Sequence, residues 1–76
     1  MDKLEMRIMS AETEVKQKKQ YLQASIKKLI ELVQEEDISE TAFYNAYVSQ
    51  AEDVRRYANE TATAKRVCEV LKAVQA

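Results

Sequence analysis

Neither glycine nor proline occurs anywhere in the 76 residues, which excludes most of the ways a chain can turn tightly, kink or wrap a ligand. Turns with positive φ, phosphate-cradling loops and flexible linkers lean on glycine, and rigid kinks lean on proline. With Ala, Glu, Lys, Gln and Leu abundant, what remains is long, uninterrupted helix.

The apolar pattern points the same way. Leu4, Ile8, Ala11, Val15, Leu22, Ile26, Leu29 and Val33 recur at steps of three, four or seven. At about 100° per residue they fall in a band roughly 60° wide on one side of a helix. The series fails only at Lys18 and Lys19, which occupy the turn between Val15 and Leu22. Beyond them Tyr21, Ile30 and Leu32 widen the apolar face, so the half nearest the turn is expected to carry more of the core. Lys16-Gln17-Lys18-Lys19-Gln20 is the strongest positive cluster. It has no interleaved aromatic residue and is flanked by Glu12 and Glu14, so it reads as a solvated helix face. Met6 and Met9 lie off the band and are expected to be exposed.

A turn is expected where Glu35-Glu36-Asp37 closes the first helix. That acidic run opposes the dipole of the helix it ends and favours the start of the next. With Ser39 as N-cap, Glu40 falls in the first turn, and Ile38 pairs with Phe43 as a hydrophobic staple. Asp37 with Glu40 would make a competing capping box, but Thr41 would then replace Phe43 and the staple would be lost. Ser39 is therefore the preferred cap. The predicted elements are helix 1 over about 3–35, a turn over about 36–39 and helix 2 over about 40–74.

Phe43, Tyr47, Gln50, Val54, Tyr57, Thr61 and Ala64 form a stripe on the second helix. Folding the chain back at residue 37 or 38 sets Val33 against Phe43, Leu29 against Tyr47, Ile26 against Gln50 and Leu22 against Val54. Lys18 then meets Tyr57, and Ile8 meets Cys68. The fold class is all-α, a single domain built as a long antiparallel two-helix hairpin.

This hairpin does not look self-sufficient. At its far end Val15 lies near Thr61 and Ala11 near Ala64, both thin pairings. Val67, Val70, Leu71 and Val74 then lie about a quarter-turn or more from the band set by Phe43 and Val54. A helix apolar on two sides needs two things to pack against. Either a break near residues 59–63 re-aims the last turns, or a second protein surface covers them. The expected partner-binding residues are Leu4 and Ile8 on the first helix, Tyr57, Thr61 and Ala64 in the middle of the second, and Val67, Val70, Leu71 and Val74 at its end.

Size argues for a partner as well, because chains this short bury only about 60% of their unfolded surface. A single cysteine, Cys68, cannot close an internal disulfide, and without histidine a zinc site has few ligands to draw on. No cofactor or metal is expected. The lack of histidine also removes Ser-His and Cys-His nucleophile pairs and the commonest general base, so an enzyme is not expected. Twelve basic against thirteen acidic residues give a net charge of −1. No bulk attraction to nucleic acid or to an anionic membrane follows. No apolar run is long enough to insert in a bilayer.

Three stretches carry a family resemblance: Leu4-Glu5-Met6-Arg7-Ile8, Tyr21-Leu22-Gln23-Ala24 with Lys27-Lys28-Leu29, and Phe43-Tyr44 through Gln50-Ala51-Glu52-Asp53-Val54. Together they resemble the small two-helix co-chaperones of bacterial type III secretion needle systems. The resemblance implies a cytoplasmic virulence-associated chaperone that binds a larger helical-repeat chaperone. That pair would shield the needle subunit from polymerising before export. The alternative is a structural subunit, either self-associating as a helical bundle or polymerising as a needle or inner rod. Needle subunits usually carry proline in the turn, and this chain has none. A nucleic-acid accessory role comes third.

Overall fold

Asp2 and Ser39 set where the two helices begin. A computed structural model describes residues 2–76, and in it helix α1 spans Lys3–Gln34 and helix α2 spans Glu40–Gln75. The Asp2 carboxylate accepts a hydrogen bond from the Glu5 backbone N–H at 2.7 Å. The Ser39 hydroxyl oxygen accepts one from the Ala42 N–H at 3.2 Å. Each cap satisfies an N–H that the first helical turn leaves without a partner. Ser39, rather than Asp37, is thus the start signal of α2. Ile38 and Phe43 on either side of it are both half-buried and line one hollow at the tip.

The tip needs no glycine because no described residue has positive φ. Glu35 ends α1 in extended backbone, and Ser39 enters α2 the same way. Both residues that flank the turn thus adopt β-region conformations open to any residue. The result is an all-α antiparallel hairpin measuring 55 × 15 × 14 Å. A helix of α2's length, at about 1.5 Å per residue, accounts for the long axis.

The buried and half-buried positions of α1 are Leu4, Ile8, Ala11, Val15, Lys18, Leu22, Ser25, Leu29 and Leu32. They alternate steps of four and three without a slip, a strict seven-residue repeat that winds two helices into a left-handed supercoil. This corrects the expected seam in its second half. Leu32 is 6% exposed, as its place on the widened face implies, and Ser25 is 7% exposed. Ile26 and Val33, expected inside, are instead 39% and 59% exposed, and Tyr21 and Ile30, expected to widen the inner face, are both 51% exposed. A straight helix drifts by about 20° per heptad against a strict seven-residue repeat. Positions that align with Leu4 on a straight helix have therefore rotated off the contact line by residue 26, about six turns away.

On α2 the inner positions run Phe43, Ala46 and Gln50, then Val54, Tyr57, Thr61, Ala64, Cys68 and Leu71. Between Gln50 and Thr61 the seam takes an eleven-residue step, the spacing natural to a straighter helix. Asp53 and Glu60, which a strict heptad would use, sit half-buried at its margin. That step delivers Cys68 rather than Val67 to the seam, and Cys68 is buried as a small apolar residue. The helix is continuous through residues 59–63, so no break re-aims its end.

Candidate functional site

Nearly half of the seam residues are small or polar, and they are prominent among the most deeply buried. Ala11, Ala64, Cys68, Ser25 and Thr61 are among its most buried members. The two hydroxyls are tolerated because each donates to its own helix: Ser25 Oγ to the Leu22 carbonyl at 2.8 Å, Thr61 Oγ1 to the Tyr57 carbonyl at 2.7 Å. No large side chain among the described residues is fully buried.

Lys18, expected on a solvated face, belongs to the seam. Its Nζ donates to Glu60 Oε1 at 3.0 Å across the hairpin. That hydrogen bond, reinforced by the charges of Glu60 and Glu14, raises the lysine above its ordinary 10.5 against a smaller opposing effect of desolvation. A raised lysine is fully charged in both folded and unfolded chains at neutral pH. Its contribution is lost only as pH climbs through the raised value, well into the alkaline range. Beside it, Tyr21 and Tyr57 pack with ring centroids 5.7 Å apart, and the Arg56 guanidinium sits 4.8 Å from the Tyr57 centroid. Tyr57 therefore meets Tyr21, nearly one turn along from the Lys18 expected opposite it.

These contacts mark one face of the hairpin, and the ion pair between Lys72 Nζ and Glu12 Oε2, at 3.4 Å, marks the other. On the Glu12 face, Glu12, Lys19, Ile26 and Val33 follow one another at intervals of seven along α1, with Ile30 one turn beside them. Opposite, Lys65 and Lys72 occupy the far end of α2 and Tyr44, Tyr47 and Ala51 the near end. The lower half of this face is charged: Glu12, Lys16, Lys19, Lys65, Glu69 and Lys72 surround one shallow hollow over Val15 and Cys68. The half nearest the tip is apolar. Ile26, Ile30, Val33, Tyr44 and Tyr47 are between 39% and 66% exposed there.

The Tyr57 face has the opposite polarity. Near the tip it presents Lys28, Gln50 and Asp53 around a hollow beside Ser25, with Gln50 Oε1 buried and without a hydrogen-bond partner among the described residues. At the far end Ala11 and Ala64 form the floor of a depression walled by Glu14, Asn59, Thr63 and Val67. Val67, Val70 and Val74 run on from it, 49%, 52% and 69% exposed.

The expected partner-binding residues therefore divide. Ile8, Thr61 and Ala64 are buried between the helices, and Leu4, Tyr57 and Leu71 are half-buried there. Presenting these six fully to another protein would require opening the hairpin. Val67, Val70 and Val74 are free to be covered. The tip face is absent from the expected binding residues, because the sequence pattern sets Ile26, Val33 and Tyr47 in the core and Ile30 on its widened edge. A strict seven-residue count from Glu12 is the signal that finds it. Met6 and Met9 are exposed at 58% and 53%.

No group of three or more metal-ligating side chains is assembled among the described residues. No described helix is long and apolar enough to cross a membrane. No protein-family model, curated protein or solved structure gives a significant match to the chain.

Proposed function

We propose that this chain is a non-enzymatic protein-binding module: a cytoplasmic co-chaperone that stabilises a larger helical partner chaperone and, with it, holds a type III secretion needle subunit before export. The stretches between Leu4 and Val54 that resemble such co-chaperones support this reading. The observation that carries it is the valine stripe at the end of α2. Val67, Val70 and Val74 are 49%, 52% and 69% exposed on an unbroken helix, beside a depression floored by two alanines. Fully burying one such side chain is worth about 1.5–3 kcal/mol. A partner helix laid along the stripe, with one side chain in the depression, would gain that energy where this hairpin has nothing further to cover it.

Purification of the tagged chain from its native host identifies the partner, and titration against that partner tests the surface. Replacing Val70 and Val74 by serine should weaken binding tenfold or more while the helix content of the free chain, read by circular dichroism, stays nearly unchanged. Unfolding of the free double variant would show instead that the valines support the hairpin itself. Recovery of the chain with copies of itself alone would favour the structural-subunit reading.

A further inference from the structure

We infer that the apolar tip face is a homodimer interface, on which two copies of this chain pack antiparallel about a two-fold axis passing close to Ile30. The surface concerned is separate from the valine stripe in both respects that matter: it lies on the Glu12–Lys72 face rather than the Tyr57 face, and at the tip rather than the far end. It does not depend on the identity of any chaperone partner.

Two properties of the face select a second copy as the occupant. The first is area. Ile26, Ile30, Val33, Tyr44 and Tyr47, all between 39% and 66% exposed, present on the order of 500 Å² of apolar surface, as much as the largest patch on a typical monomer. Two such patches together reach the roughly 1,000 Å² that a specific interface requires. The second is charge. Above the patch lies the acidic tip, Glu35, Glu36, Asp37 and Glu40, none of which has an ion-pair partner among the described residues. Glu35 and Glu36 also stand at the negative end of α1, whose last turn holds no basic residue, so the tip is short of positive charge. Below the patch the same flank carries Lys19 and Arg55. Lys19 lies eleven residues from Ile30 and the tip carboxylates of Glu35, Glu36 and Asp37 five to seven, a difference left to the long, flexible basic side chains to span. Lys19 is unpaired among the described residues, and Arg55 is held only by a long contact of 3.9 Å to Glu52.

A surface that is apolar in the middle, acidic at one end and basic at the other complements itself when one copy is turned end for end. Rotation about an axis across the hairpin lays α1 on α1 and α2 on α2. Ile30 then approaches its own counterpart, Ile26 meets Val33, and Tyr44 projects over the small Ala51. The tip carboxylates of each copy reach Lys19 and Arg55 of the other, twice per dimer. The parallel arrangement would instead bring two acidic tips together, so it is disfavoured by like-charge repulsion.

Sedimentation equilibrium of the full chain over about 1–200 µM, at low and at high salt, tests this. Wild type should move from its 8.8 kDa monomer to twice that mass, with a dissociation constant that rises at least several-fold in about 0.5 M salt. Glu36→Lys with Asp37→Lys, and separately Lys19→Glu with Arg55→Glu, should each weaken the dimer tenfold or more. Each variant alone matches like charges, but an equimolar mixture restores opposite charges at both ends and should recover a heterodimer. Ile30→Asp should abolish the dimer, and Val70→Ser with Val74→Ser should leave it intact. Helix content of every variant is checked by circular dichroism, since all the changes lie on exposed positions. A wild type that stays monomeric throughout, charge-reversed variants that dimerise as tightly as wild type, or a mixture that fails to recover the dimer would each overturn the proposal. Loss of the dimer in the valine variant would do so too, by assigning self-association to the other face.

Discussion

Leu32 and Val33 are neighbours in sequence, and the structure assigns them opposite fates. Leu32 is 6% exposed in the seam, and Val33 is 59% exposed on the tip face. Leu32→Ala removes three buried carbon groups at about 0.8 kcal/mol each, near 2.4 kcal/mol, with a cavity contribution on top. Val33→Ala removes two groups that are already more than half in water, on the order of 0.5 kcal/mol. Alanine's better helix propensity offsets most of that second loss, about 0.5 kcal/mol. For a chain of this size one kcal/mol moves the melting temperature by roughly 4–8 °C. Leu32→Ala should therefore melt about 10–20 °C below wild type, and Val33→Ala within a few degrees of it. Thermal melts followed at the helical dichroism band, at low micromolar concentration and about 0.5 M salt, keep self-association from contributing to either value. If Val33→Ala proves as damaging as Leu32→Ala, the seven-residue seam is misplaced, and the surface inferred from its flank fails with it.

Two further outcomes follow from the caps and the seam. Ser39→Ala should cost about 1 kcal/mol through loss of the N-cap, and Asp37→Ala clearly less, in urea titrations of the two variants; the reverse order would move the start of α2. Gln50→Leu should raise stability by about 1 kcal/mol, because it removes a buried carbonyl oxygen that has no hydrogen-bond partner among the described residues and leaves an apolar group of similar size. A drop in stability on that substitution would mean the amide is satisfied in solution.

The helix boundaries were legible because local chemistry sets them. A chain without glycine or proline has few options but helix, and Ser39 with Ile38 and Phe43 marks the one place where a new helix must start. The inner face was legible only in part. Leu4 to Val15 were read correctly on a straight helix, since rotation over one heptad and a half is small. Ile26 and Val33 were misread for the same reason, as the rotation had accumulated by then. Lys18 and Ser25 were passed over because they are polar. Nothing in the local sequence announces that Glu60 lies across from Lys18, or that Ser25 can return its hydroxyl to Leu22. The valine stripe was visible as a misfit, yet Leu71 beside it was grouped with the wrong face. The eleven-residue step on α2 that separates them depends on how two helices accommodate each other's winding, which neither helix encodes alone.

Small seam residues and large exposed ones are two aspects of the same design. Ala11 facing the Ala64 region, and Ser25 facing the Gln50 region, bury little apolar area between the helices. The large apolar groups, Ile26, Ile30, Val33, Tyr44 and Tyr47 on one face and Val67, Val70 and Val74 on the other, are displaced to the flanks. A hairpin of this length is consequently stabilised most by whatever covers those flanks, and any protein that binds the folded form adds its binding free energy to the hairpin's stability. Because the two apolar flanks lie on opposite faces and at opposite ends of a 55 Å rod, occupation of one leaves the other open. A dimer formed at the tip would still present both valine stripes, one at each end, and so would offer a partner helix two equivalent sites.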